Sequence, residues 1–339
     1  MHPIDLATTN SLRPTSPLPA SIQPCFKFTG DQQELTPSIA ELVAQKTAQK
    51  EFFYGIEIMA QNEGKAHCVD FHDFLPLLPS FISFVWLKQF TDAIRRTGNF
   101  DDVTSIQLIP HLNSHIAAMP HLSLYRLTQQ HVDAFAALNL SNVLVVRGDS
   151  LDEQQDYRYA YQVVEYLRRV RGDNISIAVG GYPEGYTSLT SDAPNKTQDM
   201  KYLKQKIDVG ANLIITQLCY SGDKIIEFIK DARIAGITVP ILVGIIVPYS
   251  FANYQIIERI TGVRLSPEAR IEVEQLSSDD TKVKDYFVQL MVRIIQQILE
   301  ADLGIYGIQF FTLNHIEPTV EVLRELRLRG IPKETAADD

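Results

Sequence analysis

Seven polar residues fall at or just beyond the ends of apolar runs: Glu57 in YGIEIM, His111 in TSIQLIPHL, Asp149 in NVLVVRGD, Tyr182 in ISIAVGGYP, Gln217 in ANLIITQL, and Asn314 and His315 after YGIQFFTLN. Brought together, they would make a site of two carboxylates, an amide and one or two imidazoles. Such a set suits proton transfer and recognition of a polar ring better than nucleophilic attack, because no Ser-His-Asp order stands out. His111 and His115 in HLNSH have i,i+4 spacing, but they follow an apolar run with strand character. A helical two-histidine metal site is therefore not expected, and no metal centre is assigned. Each residue also has a plainer reading. Glu57 would suit the solvent side of an edge strand, Asp149 a helix cap, and His111 a satisfied buried histidine. Gln217 is harder to explain away, since a buried amide without a partner costs about 1–3 kcal/mol.

Convergence requires elements that place run ends side by side. Runs of strand length occur at EFFYGIEIM, SFISFVW, TSIQLIPHL, NVLVVRG, ISIAVGGYP, ANLIITQL, VPILVGIIVP and YGIQFFTLN, each ending near Gly, Pro, Asn or Asp. Helical stripes separate them, as in Ala160, Val163, Val164, Leu167 and Val170, or Phe287, Met291, Ile294 and Ile298. Strands that read as continuous apolar runs are buried on both faces. The pattern predicts an α/β fold, a (β/α)8 barrel of the TIM type, over residues 49–330. Residues 1–48 are read as an N-terminal extension, partly disordered and partly helical near SIAELVAQK, and residues 331–339 as a tail. A doubly wound sheet competes, but neither GxGxxG after the first strand nor GxxxxGK[ST] is present.

Barrel geometry separates two copies of Arg-Gly-Asp. Arg147 to Asp149 closes an apolar strand and is expected at the mouth, where residues beyond strand C-termini converge. Arg171 to Asp173 follows a helical stripe and is expected at the opposite end, with Arg168, Arg169 and Arg171 complementing the helix dipole and Gly172 as the stop.

Composition narrows the partners. The chain has 339 residues, 45% hydrophobic content and a formal charge of -10, enough for a large core and unsuited to a nucleic-acid face. Cys25, Cys68 and Cys219 are widely spaced without CxxC, which disfavours a disulfide framework. No signal-like leader and no long apolar span is apparent, so a cytoplasmic protein with no membrane partner is expected. A homo-oligomer is allowed by the composition and not specified by it.

The ordered motifs LVVRGD, DYRYAYQVVEYLR, AVGGYPEG, DMKYLKQKIDVGANLIITQL, VGIIVPYSF and FFTLNHIE, densest over residues 142–328, resemble the methylenetetrahydrofolate reductase family. The resemblance implies a flavin-bearing barrel that uses FAD, takes hydride from NADPH or NADH, and reduces a folate substrate in one-carbon metabolism. It implies that Glu57 is the acid that opens the folate five-membered ring and that Asp149 lies beside flavin and folate. Gln217, Phe251, Phe311 and His315 take substrate-side positions. His111, Arg147, Gly148, Tyr159, Ala160, Tyr182, Tyr186, Asp199 and Lys206 take positions that line FAD. The segment after Glu57 reads IMAQNEGK where the family has an aromatic-proline wall, Val85 replaces a usual threonine, and Tyr186 replaces a histidine. These departures keep two alternatives open: a paralogue that binds flavin or folate without efficient turnover, and a barrel enzyme using Glu57 and Asp149 without flavin.

Overall fold

The computed structural model describes residues 25–30, 38–60, 68–112, 115–148, 152–186 and 195–332. Eight parallel strands close on themselves, each hydrogen-bonded to the next barrel strand in chain order and the last to the first. They are β2 (Phe53–Ile58), β4 (Phe81–Phe84), β5 (Ala117–Ser123), β6 (Asn142–Val146), β7 (Ser176–Gly181), β8 (Leu213–Thr216), β9 (Ile241–Ile246) and β10 (Gly307–Phe311). Closure leaves no barrel edge exposed, so Glu57 cannot occupy the solvent side of an edge strand. Among the described residues, no helix is long and apolar enough to cross a membrane.

Seven of the eight runs named above contain a barrel strand; TSIQLIPHL does not. It forms helix α3 (Thr104–Leu108) and a 3-10 turn (Ile109–His111). Ile106 and Ile109 lie three apart and Leu108 and Leu112 four apart, a spacing that buries one helical side, and all four are buried. The third barrel strand is instead AAMPHLS, which Pro120 disguises, because proline donates no ladder hydrogen bond. The fold accommodates it where β5 changes neighbours: pairing with β4 runs through Phe84↔Pro120, and pairing with β6 begins at His121↔Leu144. Along β5, Met119 joins the barrel-interior cluster while Ala118 and Leu122 join the layer beneath the helices. His121, two residues beyond Met119, is thereby turned inward.

The outer layer comprises α2 (Lys88–Thr97), α4 (Gln129–Ala137), α5 (Ala160–Arg171), α6 (Lys196–Asp208), α7 (Gly222–Ile234), α10 (Asp280–Glu300) and α11 (Glu317–Leu328), while α8 (Phe251–Thr261) and α9 (Pro267–Gln275) extend the connection between β9 and β10. Between β2 and β4 a helix is replaced by a 3-10 turn (Phe71–Phe74) and a parallel ribbon of β1 (Cys25–Lys27) with β3 (Cys68–Asp70). Phe71 and Phe74 are buried in the outer cluster there and do the covering that a helix does elsewhere.

Helix α1 (Ile39–Ala48), at the predicted helical stretch, is part of the barrel rather than an appendage. Ile39 is 0% exposed and belongs to the interior cluster with Val43, Phe53, Phe81 and Leu144. Its first amides are satisfied by barrel strands: Ile39 N donates to Asn142 Oδ1 at 2.8 Å and Ala40 N to Ser176 Oγ at 3.0 Å. These free N–H groups would otherwise be buried orphans. Asn142 and Ser176 begin their strands, so α1 plugs the N-terminal end and leaves the other end open.

The second Arg-Gly-Asp ends α5 as the sequence reading expects. Gly172 is the C-cap at φ 55, and Arg168 donates to the carbonyls of Gly210, Gly172 and Ile175. Arg171 similarly donates to the carbonyls of Ala136, Leu138 and Leu140.

Candidate active site at the barrel mouth

Glu57 is the penultimate residue of β2, faces the barrel interior and is 8% exposed. Burial raises its carboxyl from 4.5 to about 8, so the group carries its proton at neutral pH. Of its apolar neighbours on β2, Phe53 shares the interior cluster while Ile56 and Ile58 belong to the outer one; enclosure in the barrel supplies the desolvation. Its backbone is clamped by the residues that follow β10: Thr312 Oγ1 donates to Glu57 O at 2.5 Å. The Asn314 side chain accepts from Met59 N at 2.8 Å and donates to Met59 O at 3.0 Å, extending the β2–β10 pairing by one amide.

The imidazole beside Glu57 belongs to His121, with Nε2 3.7 Å from Glu57 Oε2. His121 is 7% exposed, and burial lowers its pKa to about 3, so it is neutral. The pair is thus uncharged, with the ionisable proton on Glu57 and a single N–H on the imidazole. Its Nε2 is enclosed and has no hydrogen-bond partner among the described residues. Sequence reading assigned the imidazole to His111, which is exposed in the helix-to-strand segment before β5, away from the mouth. The signal for His121 was the period-two series Met119, His121, Ser123, hidden by Pro120.

A cavity of about 480 Å³ opens at the mouth, lined by His121, Ser123, Gly148, Tyr182, Tyr186 and Gln217 among others, with Val85, Trp86 and Lys88 on one side and Ile260 and Val263 on another. Gln217 Oε1 accepts from Leu218 N at 2.9 Å, leaving its NH2 as the group available to a ligand. Gly148 has φ +84, which favours glycine, and an added Cβ would meet Ser123 Oγ at 2.6 Å. The chain therefore turns at Gly148, two residues past the end of β6. Asp149 itself lies outside the described residues.

A smaller crevice of about 100 Å³ shares Tyr182 and Tyr186 with this cavity and gathers Arg147, Tyr159, Ala160, Asp199, Tyr202 and Lys206. Lys206 Nζ donates to Gly180 O at 2.5 Å, and desolvation lowers its ammonium to about 8. Arg147 lies over the Tyr186 ring at 4.5 Å, and its Nε is buried without a hydrogen-bond partner among the described residues. Tyr186 OH donates to Gly148 O at 3.0 Å and Tyr186 N to Asp199 Oδ2 at 2.8 Å, tying the ends of β6 and β7 to α6. Tyr159 stacks between Tyr161 and Tyr202 at 5.6 and 5.3 Å. Tyr202 had no sequence signal beyond its place on a mixed helix face.

Three sequence-named residues stand elsewhere around the mouth. Phe311 ends β10, in register with Glu57. Phe251 opens α8 behind the Ser250 N-cap. His315 packs its ring 4.3 Å from Tyr249.

A family model described as "Methylenetetrahydrofolate reductase" matches residues 32–327. A "Probable methylenetetrahydrofolate reductase (NADH)" of Oryza sativa subsp. japonica is 31% identical over 232 residues, covering 63% of this chain and 38% of that protein. A "Probable methylenetetrahydrofolate reductase (NADPH)" of Caenorhabditis elegans is 28% identical over 206 residues, 59% of this chain and 30% of that one. The chain spans about a third of the length of these curated relatives. Among solved structures, an uncharacterized Clostridium thermocellum protein described as binding two copies of 5-methyl-5,6,7,8-tetrahydrofolic acid aligns with TM-score 0.58 and 14% identity, over 85% of this chain and 99% of that one. At that identity the likeness concerns the barrel fold alone.

Proposed function

Since the chain belongs to the methylenetetrahydrofolate reductase family, we propose that it reduces 5,10-methylenetetrahydrofolate to the 5-methyl form at a flavin, FAD, with NADPH or NADH as hydride source. The observation that carries this reading is a protonated, buried Glu57 beside a cavity that also exposes the Gln217 amide and adjoins a crevice of tyrosines and cations. The residues fit a dinucleotide flavin. Asp199 is the charge that supports the buried Lys206 ammonium, and the enclosed Arg147 Nε has no acceptor among the described residues; anionic phosphates would complement both cations. Arg147, Tyr159, Ala160, Tyr182, Tyr186, Asp199 and Lys206 would hold the group. A bound flavin supplies hydride transfer between nicotinamide and folate.

The chain's own residues supply the rest. Glu57, neutral at pH 7, donates its proton to the ring nitrogen as the folate five-membered ring opens. The Gln217 amide and Ser123 hydroxyl supply hydrogen bonds to a polar ring, while Trp86 and Val85 present apolar wall. Asp149, next in sequence to Gly148, is assigned to orient folate and flavin. Phe251, Phe311 and His315 are assigned to the substrate side.

The test is the spectrum of the purified holoprotein. Its flavin absorption should bleach with NADPH or NADH and return on adding 5,10-methylenetetrahydrofolate, and Glu57→Gln should slow that return by roughly 10²- to 10⁴-fold, the range of one positioned acid. A colourless protein that takes up no FAD, or a Gln variant re-oxidised by folate at full rate, would refute the reading.

A further inference from the structure

Glu57 stands at the mouth end of β2, penultimate in the strand and in register with Phe311, which ends β10. His121 touches both the acid and the 480 Å³ cavity: it lines the cavity, and its enclosed Nε2, unpartnered among the described residues, lies 3.7 Å from Glu57 Oε2. On its other flanks the acid has neutral company. Ser83 is its register neighbour on β4 and accepts from Gln309 Nε2 at 3.1 Å; both side chains are buried. Among the described residues, Glu57 is the carboxylate that His121 meets within 4 Å.

We infer that His121 is a proton relay that reloads Glu57 from the cavity after each turnover, an inference that rests on the reductase reading above. In that reaction the Glu57 O–H bond breaks and its proton joins the substrate nitrogen, which keeps the electron pair of the breaking carbon–nitrogen bond. A carboxylate is left inside the barrel until product leaves and water re-enters the cavity. The imidazole then takes a proton at Nδ1 from a cavity hydronium, releasing water, and passes its Nε2 proton to the carboxylate. The carboxylic acid is regenerated, the neutral imidazole left as the Nδ1–H tautomer returns to Nε2–H by proton exchange with water, one solvent proton is consumed per turnover, and nothing is oxidised or reduced. The low basicity that burial gives His121 suits a group that transmits a proton without retaining it. A positioning role alone would need no open wall on the imidazole; a relay needs one side on the cavity and the other on the acid.

The experiment compares successive turnovers of flavin-loaded His121→Asn, and of His121→Gln should the first variant fold poorly. Glu57 starts protonated, so the first turnover outruns later ones, which fall by roughly a hundredfold. Added imidazole narrows that gap, and the solvent deuterium isotope effect of later turnovers rises. Equal slowing of all turnovers without imidazole rescue would overturn the relay. A second readout does not depend on catalysis: infrared spectra of the ligand-free protein, with Glu57→Gln identifying the acid's carbonyl band. That band should shift in His121→Asn, and indifference to His121 would also overturn the inference. If the wild-type protein reduced no folate but the band responded, the reductase reading would fail while the paired geometry stood.

Discussion

Glu57→Gln should stabilise the fold, and by an amount that depends on pH. In the unfolded chain the carboxyl ionises near its ordinary 4.5, whereas the folded barrel holds it protonated until about 8. Between those values the unfolded state has released the proton and the folded state has not, so rising pH favours unfolding by roughly 1.4 kcal/mol per unit. The window is three to four units wide, which puts the ceiling near 5 kcal/mol above pH 8. Glutamine keeps the shape and cannot ionise, so the variant's advantage should be small near pH 5, grow steadily to pH 8 and level off. His121 works in the opposite direction. Its pKa is depressed to about 3, so it erodes stability as pH falls from 6.5 towards 3, overlapping the lower part of the Glu57 window, but it is present in both proteins and drops out of their difference. Urea unfolding of both proteins at pH 5, 6, 7, 8 and 9 measures the difference directly, with equal m-values required. A constant offset would show that the folded barrel does not hold the acid neutral. An advantage for the wild type that grows with pH would show a carboxylate stabilised in the fold, and the neutral-pair argument would be wrong.

Other substitutions probe the frame around the site. Asn142→Leu removes the acceptor for Ile39 N and the donor to Ala118 O; denaturation should show a loss of about 2–4 kcal/mol, because two buried backbone groups lose partners. Gly244→Ala would bring a Cβ to 2.1 Å from Thr216 O and 2.5 Å from the Phe311 ring, both part of the barrel wall; a melting temperature near that of wild type would contradict the close approach. Asp173, whose side chain is fully exposed, should change stability by under about 0.5 kcal/mol on replacement by alanine. Arg168→Ala should cost about 2–4 kcal/mol by stranding the Gly210 and Ile175 carbonyls and Asn212. Lys206→Met should weaken flavin retention measured by equilibrium dialysis, while Lys204, which pairs with Asp208 on the helix surface, should not matter.

Legibility divided along physical lines. Wherever a strand was a continuous apolar run, as in NVLVV or ILVGII, local composition announced it, since a strand buried on both faces has no polar positions to spare. The eightfold alternation then specified the barrel, and strand-end position separated the Arg-Gly-Asp that turns at Gly148 from the one that caps α5 at Gly172. The family resemblance also named most residues of the tyrosine and cation crevice, although they come from the ends of β6 and β7 and from helices α5 and α6. What sequence could not decide was which of two competing runs closes the third barrel position. TSIQLIPHL has better strand composition, yet its apolar residues bury equally well as a helix, and Pro120 is tolerable only because β5 changes neighbours there, a fact about other strands. The identity of the site imidazole followed from that choice. Sequence supplied both histidines and the acid; closure of the barrel decided that His121, and not His111, stands 3.7 Å from Glu57, because that distance joins residues on two strands that are not adjacent in the chain.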